Sequence, residues 1–409
     1  MTVLLARLEG VLHEYAWGSR RFLAELEGRA SPSPSPEAER WFGAHPTAPA
    51  TLHLADGTAR PLDAAVASDP VGLLGDDVVT RFGARLPFLL KVLAAAEPLS
   101  LQTHPTAARA QAGFADEEAR GIPLDAPHRR YRDAWPKPEL LRALTPFTAL
   151  CGFRDPDRTL ELFATLAVDE LTWLVDALQR HGEAGIAPVV RRLLMVPEVA
   201  CGPLVTAVAA RAAGLVEDAH WGAEARMVRG LSDRYPDDPG VVVALLMEVL
   251  HLVPGEALYL PAGNLHAYVE GAGIEVMATS DNVLRGGLTA KHVDVDELLQ
   301  VLDDRPGAVP RVDPVPGVPG ERVLPAPTPF FRLSELTPRS GAAVELDRRG
   351  PQVLLCTAGR AVVTADGTSL ELARGQAALV AAAARDVEVT AVDDPGEDAL
   401  VFRATVGDA

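Results

Sequence analysis

The sequence predicts a mixed α and β fold in which two β-rich regions flank an inserted α-helical block. Three observations carry this reading. Residues 252–291, LVPGEALYLPAGNLHAYVEGAGIEVMATSDNVLRGGLTAK, string turns and one histidine along alternating β-type segments. From residue 155 the apolar positions recur at helical spacing, as in Leu171, Leu174, Val175 and Leu178. Residues 330–409 return to short alternating segments punctuated by glycine turns.

Composition bounds the function. The 409 residues suffice for two or three domains with ample cores, and 48% hydrophobic with 23% charged residues is ordinary for a folded globular chain. A formal net charge of −18 argues against a nucleic-acid partner and against an anionic membrane surface, so any basic site must be local. Cys151, Cys201 and Cys356 are too dispersed for a local metal motif, and their odd number is no disulfide framework. The opening MTVLLARLEG has no basic leader, and the apolar stretch 241–253 is interrupted by Glu248 and His251. A cytoplasmic protein with no membrane span is expected.

In chain order, residues 1–30 read as a strand, a turn at Trp17-Gly18-Ser19 and a short helix. The SPSPSP run at 31–36 fixes φ and removes donors, which predicts an exposed loop. Trp41 and Phe42 read as packing residues, and His45, before Pro46, as a loop residue. Residues 87–95 form a short apolar run interrupted by Lys91, as in a buried strand; Lys91 reads equally as an ammonium snorkelling from the edge or as a cation in an anion pocket. In LSLQTHP the one-residue gap puts Gln102 and His104 on one strand face. Residues 109–134 suggest a helix and then a loop. The flanking prolines of WPKPE hold Lys137 and Glu139 extended, on one face, where the plain reading is a surface ion pair.

Asp155-Pro156 supplies a helix N-cap with proline in the first turn, and helices are expected to continue through 204–215, 223–231 and 240–252. Trp173 and the leucines and valines of this block read as its core. Asp294 caps a further helix at 293–302, and the proline-rich residues 305–329 suggest an extended crossing.

Within the 252–291 stretch, Gly255, Pro261, Gly263 and His266 have a spacing that resembles the second metal-binding motif of cupin β-barrels. Residues 257–260 form the strand entering the turn. His266, Tyr268 and Glu270 then share a face by the two-residue period, so His266 would point inward.

Taken together, LSLQTHP, PKPELLRALTPFTALCGFR, LPAGNLHAY and SDNVLRGGLTAK, with YAWGS and WFGAHPTAPA, look like blocks of the type I mannose-6-phosphate isomerase family. The resemblance runs over about residues 9–155 and 250–298. It implies two cupin-type (jelly-roll) β-barrel domains with an inserted helical domain. The catalytic barrel would comprise 1–154 and 251–304, the insertion 155–250, and the crossing with a C-terminal cupin-like domain 305–409. That last domain has Ala381 where the first copy has Pro261, and it has no histidine, so it cannot hold the same metal site.

The resemblance makes Gln102, His104, Glu139 and His266 the ligands of one Zn²⁺ per chain. Two imidazoles, one carboxylate and one amide oxygen suit that ion and leave it Lewis-acidic. The implied reaction interconverts mannose 6-phosphate and fructose 6-phosphate through a cis-enediol. Arg285 matches the family's active-site arginine, always charged and able to bind oxygens bidentately. Lys137, Lys91 and Ser100 are candidates to contact substrate, and Lys291 to hold phosphate with Arg285. Asp281 and Glu275 are candidate acid-base groups, Glu275 reading equally as a supporting salt bridge. Family members commonly carry a histidine before Lys-Pro-Glu, where this chain has Pro136, so His128 or a water would have to substitute.

Two alternatives compete with the isomerase. An iron- and O₂-dependent cupin oxidoreductase shares two-histidine-plus-carboxylate ligation but is disfavoured by the gap of about 160 residues between His104 and His266 and by the glutamine. A non-catalytic sugar-phosphate sensor is disfavoured by the retained Arg285 block. A monomer is expected.

Overall fold

The computed structural model describes residues 3–307, 309–339, 341–392 and 398–408. A nine-stranded and a ten-stranded sheet dominate, with smaller sheets of four and two strands. Their pairings are antiparallel. The fold is therefore mixed α and β, as expected.

The ten-stranded sheet is built on the 13-residue strand His266–Ala278. It pairs with Phe88–Ala95, Glu139–Ala143 and Phe147–Phe153. Phe88–Ala95 is buried at every residue, as its short apolar run predicts. One feature departs from simple alternation. Ala149 pairs with Tyr268 while Thr148 pairs with Glu270, leaving Val269 as the extra residue of a bulge. The bulge flips the face, so Glu270 is exposed rather than sharing the inward face of His266 and Tyr268. It also brings Tyr268 and Glu275, an odd seven residues apart, to the same interior, where the tyrosine hydroxyl donates to the carboxylate at 2.9 Å.

In the nine-stranded sheet the first strand, Leu5–Glu9, pairs with Ala377–Val380, so opposite ends of the chain share one sheet. The alternating segments of the last region all form strands: Gln352–Ala358, Arg360–Ala365, Thr368–Ala373, Ala377–Val380, Glu388–Ala391 and Leu400–Thr405. The crossing is not wholly extended loop, since it holds the strands Val315–Pro316 and Glu321–Leu324.

Helices run from Pro156–Leu166 to Gly222–Arg234, and the Asp155 carboxylate caps the first by accepting from the amides of Asp157 and Arg158. The expected helix over 240–252 is corrected. Only Gly240–Ala244 is helical, and Met247–Leu252 is a strand paired with Phe147–Phe153. A continuous apolar run reads either way from periodicity, and here sheet pairing decides it. The helical core packs onto Leu101, Leu150, Phe153, Leu265 and Ala267, which are strand and turn residues beside the site described below. At 31–36 the chain is irregular, though Ser33 is buried with its hydroxyl donating to backbone carbonyls of Arg20 and Ser35.

Among the described residues no single helix is long and apolar enough to cross a membrane. All three cysteines are buried.

Candidate metal centre and anion pocket

The glycine-proline turn between Ala257–Leu260 and His266–Ala278 aims the site. Gly263 adopts φ +84°, and a Cβ there would meet the Val301 carbonyl at 3.0 Å. Its amide donates to the carbonyl of His104 at 2.8 Å, so the turn joins the two histidine segments. In register, Gln102 lies opposite His266 on one side and Arg285 on the other.

His104, Glu139 and His266 converge, with exposures of 1%, 2% and 1%. The Nδ1–H of His104 donates to the Asn282 carbonyl at 2.8 Å, and that of His266 to the Asn264 carbonyl at 3.1 Å. A carbonyl can only accept, so each ring carries its proton on Nδ1 and presents a bare Nε2 lone pair. Those atoms lie 3.4 and 3.3 Å from the oxygens of Glu139. Both Nε2 atoms and Glu139 Oε2 are buried without a hydrogen-bond partner. Acceptors facing acceptors in a dry interior repel unless a cation lies between them. The residues therefore fit a metal ion: three ligand atoms converge, two of them histidines oriented by carbonyls as metal-bound imidazoles are. Burial pushes His104 down to about 4, against the raising effect of Glu139, so the ring is neutral and ready to ligate. Burial alone would raise Glu139, but Lys137, 2.9 Å away, and His104 hold its carboxyl well below the usual range. The Lys137-Glu139 pair is buried, not a surface pair.

A second buried network adjoins these residues. Lys91 donates to Glu275 at 3.0 Å, approaches Glu39 at 3.7 Å and lies over the Trp41 ring. It neither snorkels nor stands free: against the lowering effect of burial, Glu275 and Glu39 hold its ammonium above its ordinary value. Burial raises Glu275, with Lys91 opposing.

A cavity of about 650 Å³ is lined by Tyr15, Arg132, Asp281, Arg285, Lys291 and other residues, and Arg285 joins it to the metal-facing residues by pairing with Gln102. Arg285 is lowered by burial and by the charge of Arg132, and Lys291 is lowered chiefly by Arg285. Neither has a carboxylate within 4.0 Å among the described residues. Asp281 accepts from His45 Nε2 at 3.2 Å; His45 Nδ1 accepts the Thr47 amide, which fixes the tautomer. Burial would raise Asp281, but His45 and then the lysines hold its carboxyl below its ordinary value.

Sequence reading names these candidates, of which the structure brings His104, Glu139 and His266 together, pairs Lys91 with Glu275 and lines the cavity with Asp281, Arg285 and Lys291, while Ser100 is half-buried two residues before Gln102. It missed four others. His45 is buried against Asp281 and is no plain loop residue. Glu39 completes the Lys91 network. Asn282 is a hub: its side chain bonds the backbone of Arg132, Asp133 and Trp135, and its carbonyl orients His104. Arg132 lines the cavity. The Ser-Asp-Asn triplet was the available signal for Asn282, but nothing local links it to residues 132–135. His128 is exposed and does not line the cavity. A larger cavity of about 720 Å³, between the first strand and residues 368–377, has its polar groups paired with one another, as Arg7 with Gln376 and Glu27 with Arg40.

Fold and site define a class: an antiparallel-sheet protein with a two-histidine, one-carboxylate metal centre beside a cationic pocket. Comparison narrows it. The family model of the type I phosphomannose isomerase catalytic domain matches residues 5–156. The mannose-6-phosphate isomerase of Salmonella typhimurium is 37% identical over 380 residues, covering 92% of this chain and 95% of that protein. Mannose-6-phosphate isomerase 1 of Arabidopsis thaliana is 31% identical, covering 92% and 89%. The crystal structure of the Salmonella typhimurium enzyme bound to substrate (f6p) and zinc aligns with a TM-score of 0.87 at 33% identity, covering 99% of this chain and 100% of that one. A zinc-bound mannose 6-phosphate isomerase structure aligns at 0.89, with the same identity and coverage. The chain belongs to the type I mannose-6-phosphate isomerase family.

Proposed function

We propose that this chain is a zinc-dependent aldose-ketose isomerase interconverting mannose 6-phosphate and fructose 6-phosphate through a cis-enediol. The observation that carries the reading is the pair of histidine Nε2 lone pairs facing Glu139 with no proton between them, one strand residue from Arg285, which has no carboxylate within 4.0 Å among the described residues. His104, Glu139 and His266 would hold the ion, with Gln102 as fourth ligand. When bound, zinc would supply Lewis acidity toward the sugar oxygens at C1 and C2.

The chain's own residues do the rest. Arg285 and Lys291 bind the phosphate, which sets C1 and C2 toward the metal-facing residues. Glu275, its two oxygens held by Lys91 and Tyr268, is a candidate to move a proton between C2 and C1 and otherwise supports the site as a buried salt bridge. Its raised pKa suits a group that must both take and return a proton. Asp281, kept ionised by His45, is the second acid-base group, at the cavity wall. Lys137 and Lys91 bring positive charge toward substrate oxygens, and Ser100 lies on the approach. With Pro136 before Lys137, no proton passes through that position.

The architecture that fits these roles is two cupin-type jelly-roll barrels, the catalytic one comprising 1–154 and 251–304. The helical domain 155–250 is inserted in it, and 305–409 form the crossing and a metal-free C-terminal barrel. The buried thiols of Cys151 and Cys201, neither in a disulfide, suit a reducing cytoplasm.

Arg285→Ala tests the assignment. Turnover of mannose 6-phosphate should be abolished while one zinc per chain stays bound by metal analysis; turnover surviving in that variant would remove Arg285 from the mechanism.

A further inference from the structure

We infer that Arg132 is a third cation of the phosphate clamp, supplied by a different segment from Arg285 and Lys291, and that it sets the preference for phosphorylated over unphosphorylated sugars. The inference rests on the proposed isomerase reading of this cavity.

Arg132, Arg285 and Lys291 line the same cavity. The other two arginines of that wall are neutralised: Arg129 by Glu117 and Glu118, and Arg130 by Glu117, Asp294 and Glu297. Arg132, Arg285 and Lys291 have no carboxylate within 4.0 Å among the described residues. The three repel one another, since Arg132 lowers both partners. Three cations around one carboxylate, Asp281, itself engaged by His45, leave net positive charge for an anion to share.

Arg132 is placed, not merely exposed. Its amide donates to Asn282 Oδ1 at 2.8 Å, tying its backbone to the loop that carries Asp281 and Arg285. One guanidinium nitrogen donates to the Leu124 carbonyl at 2.9 Å, which leaves the remaining donors for a ligand. A dianionic phosphate offers three acceptor oxygens and matches three cations from two sides. A neutral sugar hydroxyl does not.

The test compares wild type, Arg132→Gln and Arg132→Lys, all zinc-loaded, in a coupled assay and in calorimetric titration with inorganic phosphate. In Arg132→Gln the KM for mannose 6-phosphate and the Kd for inorganic phosphate should both rise about tenfold or more, with kcat held within about twofold. Arg132→Lys should recover most of the loss. The salt dependence of phosphate binding should be shallower in the Gln variant. Unchanged KM and Kd in Arg132→Gln would overturn the inference. Wild-type protein that binds phosphate through Arg132 yet turns over no sugar phosphate would support the clamp and overturn the isomerase reading.

Discussion

Two buried polar clusters in this chain look alike by composition and differ in saturation. In the last region Arg403, fully buried, meets Gln352 at 2.7 Å, Glu321 at 3.0 Å and the Asp347 carbonyl at 2.8 Å. Each of the three guanidinium nitrogens of Arg403 finds an acceptor within the protein. At the metal centre, His104, His266 and Glu139 are equally buried, yet three of their polar atoms aim at one another without a proton to share. The Arg403 guanidinium is satisfied as it stands and reads as structure. The second cluster is complete only with a cation, and that separates a functional site from a buried ion pair where burial alone cannot.

The comparison can be broken by mutation. His266→Leu should give the largest effect: zinc binding and turnover fall to background, while the melting temperature of metal-free protein holds or rises, because a buried unsatisfied acceptor is gone. A metal-free protein strongly destabilised by this change would mean the histidine is structural after all. Arg403→Met should do the reverse. Leaving Glu321 buried without its main partner should cost about 3–5 kcal/mol in urea unfolding, with zinc content and kcat of the folded fraction unchanged. A loss under 1 kcal/mol would show that the saturated cluster is not needed for stability.

The smallest effect is in pH. His104 has its folded pKa depressed from 6.5 to about 4. The unfolded chain therefore binds the extra proton between those values, and metal-free stability falls as pH drops from 6.5 toward 4. The loss should be on the order of 3 kcal/mol, read from urea unfolding at several pH values, and absent in His104→Asn. A slope that persists in that variant would point to another group.

Much of this was legible in the sequence. Strand 257–260 and the caps Asp155 and Asp294 follow from local rules and stand in the structure. His104, Glu139 and His266, which converge in the structure, follow from the resemblance of whole blocks, His266 also from its turn spacing. What was not legible depends on distant partners. The Val269 bulge shows only in pairing with Thr148 and Ala149, so Glu270 was read inward. Residues 247–252 became a strand because Phe147–Phe153 was there to pair with. The tautomers of His104 and His266 are set by carbonyls of Asn282 and Asn264, and His45 gains a role only when Asp281, 236 residues away, is brought beside it.

The most direct test of the central claim is a coupled assay of fructose 6-phosphate formation from mannose 6-phosphate, run on protein stripped by chelator and then titrated with Zn²⁺. Turnover should vanish on stripping and return in proportion to zinc, saturating at one ion per chain. Undiminished turnover by stripped protein, or none by protein shown to hold one zinc per chain, would contradict a zinc-dependent isomerase.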